Sequence, residues 1–195
     1  MLSDVAKRRG VWVAFGILER DGRQLYDSAV IVSSSGEIAL RYRRIDPHWH
    51  GPHADPLVYR QGVQMPVCQT PFGTCALMIC GDLFDAGIVA GARALRPDFV
   101  VLPFSRCFGD WSADSLRWER DELPAYAAQS RDLGAPLLAT GVLLVDDRGR
   151  HLSFGGAFVV DANGRVSASL SLGREGRLLV PVSALSAYNT ATPRR

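Results

Sequence analysis

The stretch that most constrains this chain is Phe72-Gly-Thr-Cys-Ala-Leu-Met-Ile-Cys-Gly-Asp-Leu-Phe84. Cys75 to Ile79 is an uninterrupted apolar run of strand length, the pattern of a strand covered on both faces. The run stops at Cys80-Gly81-Asp82. Beyond it, apolar residues at Leu83, Phe84, Ile88, Val89, Ala92 and Leu95 keep helical spacing. Pro97 closes that segment, and Phe99 to Pro103 is a second short apolar run. The order is strand, helix, strand, with Cys80 at the carboxyl end of the first strand. Sheets of this kind place reactive groups there. A thiol at a helix N-terminus is favoured as the nucleophilic thiolate. The plainer alternative is that Cys80 is one more small buried apolar residue, the usual fate of a free cysteine.

Elsewhere the chain alternates strands and turns. Leu2 to Arg9 reads as a helix, with Ser3 as its cap and Gly10 as its terminator. Val11 to Gly16 reads as a buried strand, Glu19 to Gly22 as a turn, and Leu25 to Val32 as the returning strand. Ser33 to Gly36 is a second turn, and Glu37 to Tyr42 a third strand. Trp118 to Leu133 has a helical pattern interrupted or started at Pro124. Pro136 to Val145 predicts one near-continuous strand, with Asp146 to Gly149 as a hairpin turn and Gly156 to Asp161 as its partner. Val166 to Leu172 and Arg177 to Val182 predict two more strands, and Ser186 to Arg195 a polar tail. The expected class is α/β, with a mixed sheet or two stacked sheets in one domain over 1–185.

Charge and cysteine usage exclude several functions. A net charge of +2 over 195 residues is too small for a nucleic-acid surface, although Arg41, Arg43 and Arg44 form a tight basic cluster. No apolar stretch approaches membrane-spanning length. The four cysteines, Cys68, Cys75, Cys80 and Cys107, lack paired metal spacing, which favours reduced thiols and a cytoplasmic setting. Ile45 to Gly62 is a polar, proline-bearing loop long enough to serve a function. Its His48, His50 and His53 could hold a metal, but the spacing is weak beside a paired signature, and a solvated loop with fortuitous histidines accounts for them better. No metal and no cofactor are therefore expected.

Gly73 to Pro103, with Ile79-Cys-Gly-Asp-Leu-Phe84 at its centre, resembles the nucleophile motif of the carbon–nitrogen hydrolase (nitrilase) superfamily. Val11 to Gly16, Leu25-Tyr-Asp-Ser-Ala29, Gly36-Glu-Ile38 and Arg41-Tyr-Arg-Arg44 resemble the family's middle section. Phe154-Gly-Gly156 and Asp161-Ala-Asn-Gly164 resemble its closing strands. The resemblance implies a nitrilase-like α-β-β-α sandwich lacking its first βαβα portion. It implies hydrolysis of a non-peptide amide, nitrile or N-carbamoyl group through a cysteine thioester. By position it makes Cys80 the nucleophile and Gly81 an oxyanion donor. It places Arg44 at the family's lysine and Asp55 at a second, supporting glutamate. The family's first glutamate belongs to that N-terminal portion, so no residue here inherits the role. A guanidinium is a planar fork that holds its protons and cannot replace an ammonium outright. An inactive nitrilase-like interaction or regulatory protein, or a truncated gene product, is the alternative. The expected partners are a small-molecule substrate and a second copy of the chain, met through an unpaired sheet edge or across the helix after the nucleophile, Phe84 to Leu95.

Overall fold

The computed structural model describes residues 1–183. Two stacked sheets form its centre. The smaller contains β1 (Val13–Asp21), β2 (Gln24–Val32) and β3 (Ile38–Arg43), antiparallel in that order. The larger has the order β11-β10-β7-β6-β5-β4. Its strands are β4 (Val67–Thr70), β5 (Gly73–Leu77), β6 (Phe99–Phe104), β7 (Leu137–Gly141), β10 (Ala157–Val160) and β11 (Val166–Leu170). Strands β5, β6 and β7 run parallel, and the outer pairs are antiparallel.

The double-sided burial of β5 explains its unbroken apolar run. Cys75, Leu77 and Ile79 face the smaller sheet and pack with Ala29, Ile31, Leu40 and Tyr42. Ala76 and Met78 face the other way, where α2 (Ala86–Ala94) and α4 (Leu123–Leu133) supply Val89, Ala92, Tyr126 and Leu133. Burying side chains on both faces stabilises such a strand by about 1.5–3 kcal/mol for each large residue. Helix α1 (Leu2–Arg9) lies beside the turn after β2, with Ser3 and Lys7 against Gly36. The layers form a nitrilase-like sandwich.

Several expectations are corrected. Ser3 does not cap α1; Met1 holds the cap position without a side-chain bond, and Gly10 ends the helix in a left-handed conformation as expected. The first strand is longer and only half-buried, because among the described residues β1 pairs with β2 alone and forms an edge. Leu18, on that edge, is 67% exposed. Strand β4 is an additional strand, without a periodic signal because it is four residues long and follows Pro66. The stretch from Pro136 to Val145 is two strands, broken after Gly141. A Cβ at Gly141 would overlap the Gly155 carbonyl, so glycine lets two backbone segments meet there. β8 (Leu143–Val145) turns instead to β9 (His151–Phe154), which replaces the expected 156–161 as the hairpin partner. Helix α4 is preceded by α3 (Ser115–Arg117) and a π-helical turn at Trp118–Glu122. Pro124 has no N–H for the carbonyl four residues back, so a widened turn there forfeits nothing. No strand forms over 177–182, which runs as irregular chain. The polar tail 186–195 lies outside the described residues.

Candidate active site

Between Leu77 and α2 the chain forms a tight 3-10 turn, Cys80–Phe84, rather than entering the helix directly. Cys80 therefore heads this turn, and the N-terminus of α2 is capped separately by Asp85, whose carboxylate accepts from the Gly87 and Ile88 amides. Cys80 has a φ of 44°, left-handed for a residue with a side chain. Such a conformation costs roughly 1–2 kcal/mol and persists only where surrounding contacts over-determine it.

Asp82 supplies those contacts. Fully buried, it accepts four hydrogen bonds: from the Tyr42 hydroxyl at 2.8 Å, the Ile79 amide at 2.8 Å, the Asp46 amide at 2.9 Å and the Ile45 amide at 3.2 Å. Burial raises its pKa, and the Asp46 and Ile79 amides, the Tyr42 hydroxyl and Arg44 pull against that rise. Tyr42 is held protonated far above its ordinary range by burial and by the carboxylate it donates to. The turn carrying the cysteine is thus tied to β3 and to the segment after it.

Cys80 is half-buried, with its Sγ 3.6 Å from the Ser105 carbonyl that follows β6. It opens on two adjoining cavities. One, of about 520 Å³, lies between β1 and the ends of β6 and β7; the other, of about 620 Å³, lies under His48, Trp49, Arg106 and Tyr126. Asp27, Arg44, Cys80 and Ser105 line both.

Arg44 is 7% exposed, and its guanidinium bridges two carboxylates. Its Nη1 donates to Asp27 Oδ2 at 3.2 Å and its Nη2 to Asp46 Oδ2. Its Nε is buried without a partner among the described residues. Burial disfavours the charge, but the carboxylates outweigh it and hold the guanidinium protonated above its usual range. Gly81 lies directly against this group: a Cβ there would overlap Asp46 Oδ2 and Arg44 Nη2. The Cys80 and Gly81 amides begin the turn and have no acceptor inside it, as at any helix start.

Of the four residues singled out from the sequence, Cys80, Gly81 and Arg44 come together. Asp55 stands apart. It is exposed, lines neither cavity, and accepts from the Leu57 amide at 2.8 Å in its own turn. The histidines are likewise dispersed: His48 bonds Asp46, and His50 bonds Gly51 and Gln61. No three His, Cys, Asp or Glu side chains among the described residues gather as a metal site. Asp27 and Asp46 join them at the site without being singled out by any motif of the sequence. An aspartate inside the apolar strand Leu25 to Val32 was the available signal, since strands are poor in Asp.

The carbon–nitrogen hydrolase family profile matches residues 1–191, and the chain belongs to that family. A deaminated glutathione amidase of Yersinia enterocolitica is 27% identical over 119 residues, covering 55% of this chain and 42% of the relative. A formamidase of Photorhabdus laumondii subsp. laumondii is 40% identical over 79 residues, 38% of this chain and 22% of the relative. Among solved structures, a mutant amidase from Nesterenkonia sp. AN1, with acrylamide added at its active-site cysteine, matches with a TM-score of 0.69 at 22% identity. That match covers 88% of this chain and 63% of the amidase. The chain spans less than two thirds of the length of each of these proteins. No described helix is long and apolar enough to cross a membrane.

Proposed function

We propose that this chain is an amidase-type hydrolase acting on a small non-peptide amide, nitrile or N-carbamoyl compound. The observation that supports the reading is the setting of Cys80: a left-handed backbone at the mouth of two cavities, beside Gly81 and a protonated Arg44. Names of the relatives point the same way, since they are amidases.

The Cys80 sulfur attacks the carbonyl carbon, and the electron pair of the C=O bond moves onto oxygen. The Cys80 and Gly81 amides, at the start of the turn, would donate to that oxyanion, with the Arg44 charge beside them. Donors arranged in advance around a developing charge are worth about 10²–10³ in rate each. The C–N bond then breaks, the amine leaves with a proton, and water cleaves the Cys80 thioester. Arg44 holds its protons and cannot carry one between these groups. Asp55, placed in its own exposed turn, would act only as a support for the loop.

A cytoplasmic setting and a homo-oligomer belong to the same proposal. All four cysteines are free, and Phe84 and Leu95, at either end of the α2 region, are 46% and 40% exposed. The test is ammonia release from formamide, acetamide and N-carbamoyl amino acids by wild type and Cys80→Ala. Release that vanishes with the thiol is the expected result; release that survives Cys80→Ala overturns the reading.

A further inference from the structure

A thiol attacking an amide needs a partner that takes one proton and returns it to the departing nitrogen. Arg44 cannot be that partner. The carboxylates around Cys80 differ in what they have left to offer. Asp82 is fully buried with both oxygens engaged by two donors each. Asp46 is 8% exposed, with Oδ2 on Arg44 and Oδ1 on the ring and backbone of His48. Asp85 caps α2 and lines only the outer cavity. Glu122 is bound at both oxygens by Arg106.

Asp27 differs from all of these. It lines both cavities together with Cys80, and its side chain is 27% exposed. Its Oδ2 accepts from Arg44, while Oδ1 has no donor among the described residues. Its position is fixed twice over, because its backbone carbonyl also accepts from the Arg44 amide at 2.8 Å. We infer that Asp27 is the proton carrier of the Cys80 site, with Oδ1 as the working oxygen. This rests on the hydrolase reading above and adds a catalytic residue to it.

The step balances as follows. Asp27 carboxylate takes the Cys80 thiol proton as the S–C bond forms. The tetrahedral intermediate collapses, the C–N bond breaks, and Asp27 gives that proton to the leaving nitrogen. In the second half Asp27 takes a proton from water as its oxygen attacks the thioester carbon. The C–S bond breaks, and the proton returns to sulfur. Amide and water become acid and amine, and Asp27 ends as it began.

The electrostatics are consistent with that role. Arg44 is shared by two carboxylates whose environments push them apart, the pattern that separates acid from base. Burial raises Asp27 above its ordinary value of 3.8 despite Arg44, and Asp82 adds to the rise. Asp46 is held below its ordinary value, since Arg44 and His48 outweigh its burial. The charged and titratable groups facing Asp27 are Arg44 and Cys80 within the shared lining and Asp82 behind them, with Asp46, His48, Asp85, Arg106 and Tyr126 across the outer cavity.

The experiment compares two donors of one acyl group on the full chain. Acetamide needs a proton for its leaving nitrogen; p-nitrophenyl acetate does not. Ammonia release, the p-nitrophenolate burst and the mass of the Cys80 adduct are followed for wild type, Asp27→Asn, Asp27→Glu and Cys80→Ala. In Asp27→Asn ammonia release should fall by about 10²–10⁴, while the ester burst falls by no more than about tenfold. Asp27→Glu should recover part of the loss. Wild-type ammonia release should show an acid limb above pH 3.8. That limb should be missing in Asp27→Asn. The burst also reports that the variant is folded, and if Asp27→Asn fails to fold, Asp27→Glu and the wild-type limb decide. Equal losses with both donors, or none with either, overturn Asp27 as proton carrier and leave the hydrolase reading standing. A wild type that forms the ester adduct at Cys80 yet releases no ammonia removes amide hydrolysis from the reading, and Asp27 as its proton carrier with it. A wild type that forms no adduct at Cys80 overturns both.

Discussion

The Ile79–Phe84 turn and the loop from Pro47 to Gly62 are both irregular, both rich in reactive side chains and both next to Arg44. They are held in opposite ways. The turn is pinned by bonds from Asp82 to residues about forty positions away, Tyr42, Ile45 and Asp46. The loop is tied to β2 and to Arg44 near its end, through Val58, Arg60 and Gly62, while residues 51–53 and 55–57 are exposed and Asp55 bonds only within its own turn. Long-range, buried bonds can hold a strained cysteine in place, and local, solvated ones cannot. Reactive residue types therefore mark a site only where the core fixes them.

Asp82→Ala should have the largest effect. It strips an acceptor from four donors at once, for a loss of about 4 kcal/mol or more. That corresponds to a drop in Tm of roughly 8–16 °C by thermal unfolding. A drop of only a degree or two would mean that the turn is no better anchored than the loop.

Next comes Gly81→Ala, whose Cβ would overlap Asp46 and Arg44. Overpacking of this kind costs about 1–3 kcal/mol. The Cys80 alkylation rate should fall with it, because the guanidinium must move. An unchanged rate would separate Arg44 from the chemistry.

Asp46 joins the two regions, and its pH dependence follows from its depressed pKa. Stability from its contacts with Arg44 and His48 is present above the unfolded value near 3.8 and lost as pH falls through the lower folded value. Asp46→Asn should cost about 1–2 kcal/mol at pH 7, with the difference from wild type fading in acid. Urea unfolding at a series of pH values measures this. A difference that grows on acidification would contradict it.

The smallest effect belongs to the loop. Asp55→Ala removes one exposed bond and should cost about 0.5–1 kcal/mol, leaving Cys80 reactivity unchanged. Loss of turnover in a folded Asp55→Ala protein would break the comparison and give Asp55 the support role implied by the family resemblance.

The sequence made legible what periodicity controls. β5 announced itself because both its faces are buried, and the reversal at Gly22 because Asp-Gly suits a turn. The break after Gly141 was hidden, since it depends on the Gly155 carbonyl approaching from another strand. The same holds at the site. Cys80 and Gly81 could be found as neighbours in one motif. The bridge from Asp27 through Arg44 to Asp46 joins residues 17 apart on one side and two on the other, and nothing in the spacing shows that one guanidinium serves both. Asp55 illustrates the converse: position relative to a motif singles it out, while its own turn is exposed and away from both cavities.

The central claim is that Cys80 is the thiol the fold presents to a substrate. Timed alkylation with iodoacetamide at neutral pH, mapped at all four cysteines with and without acetamide, tests it most directly. Cys68 on β4 and Cys75 on β5 are buried against the smaller sheet, and burial pushes both thiols up. Cys80 should label first, at least about tenfold faster than these two, and acetamide should slow its labelling alone. Faster labelling at Cys107, or labelling of Cys80 that acetamide leaves untouched, would contradict the account.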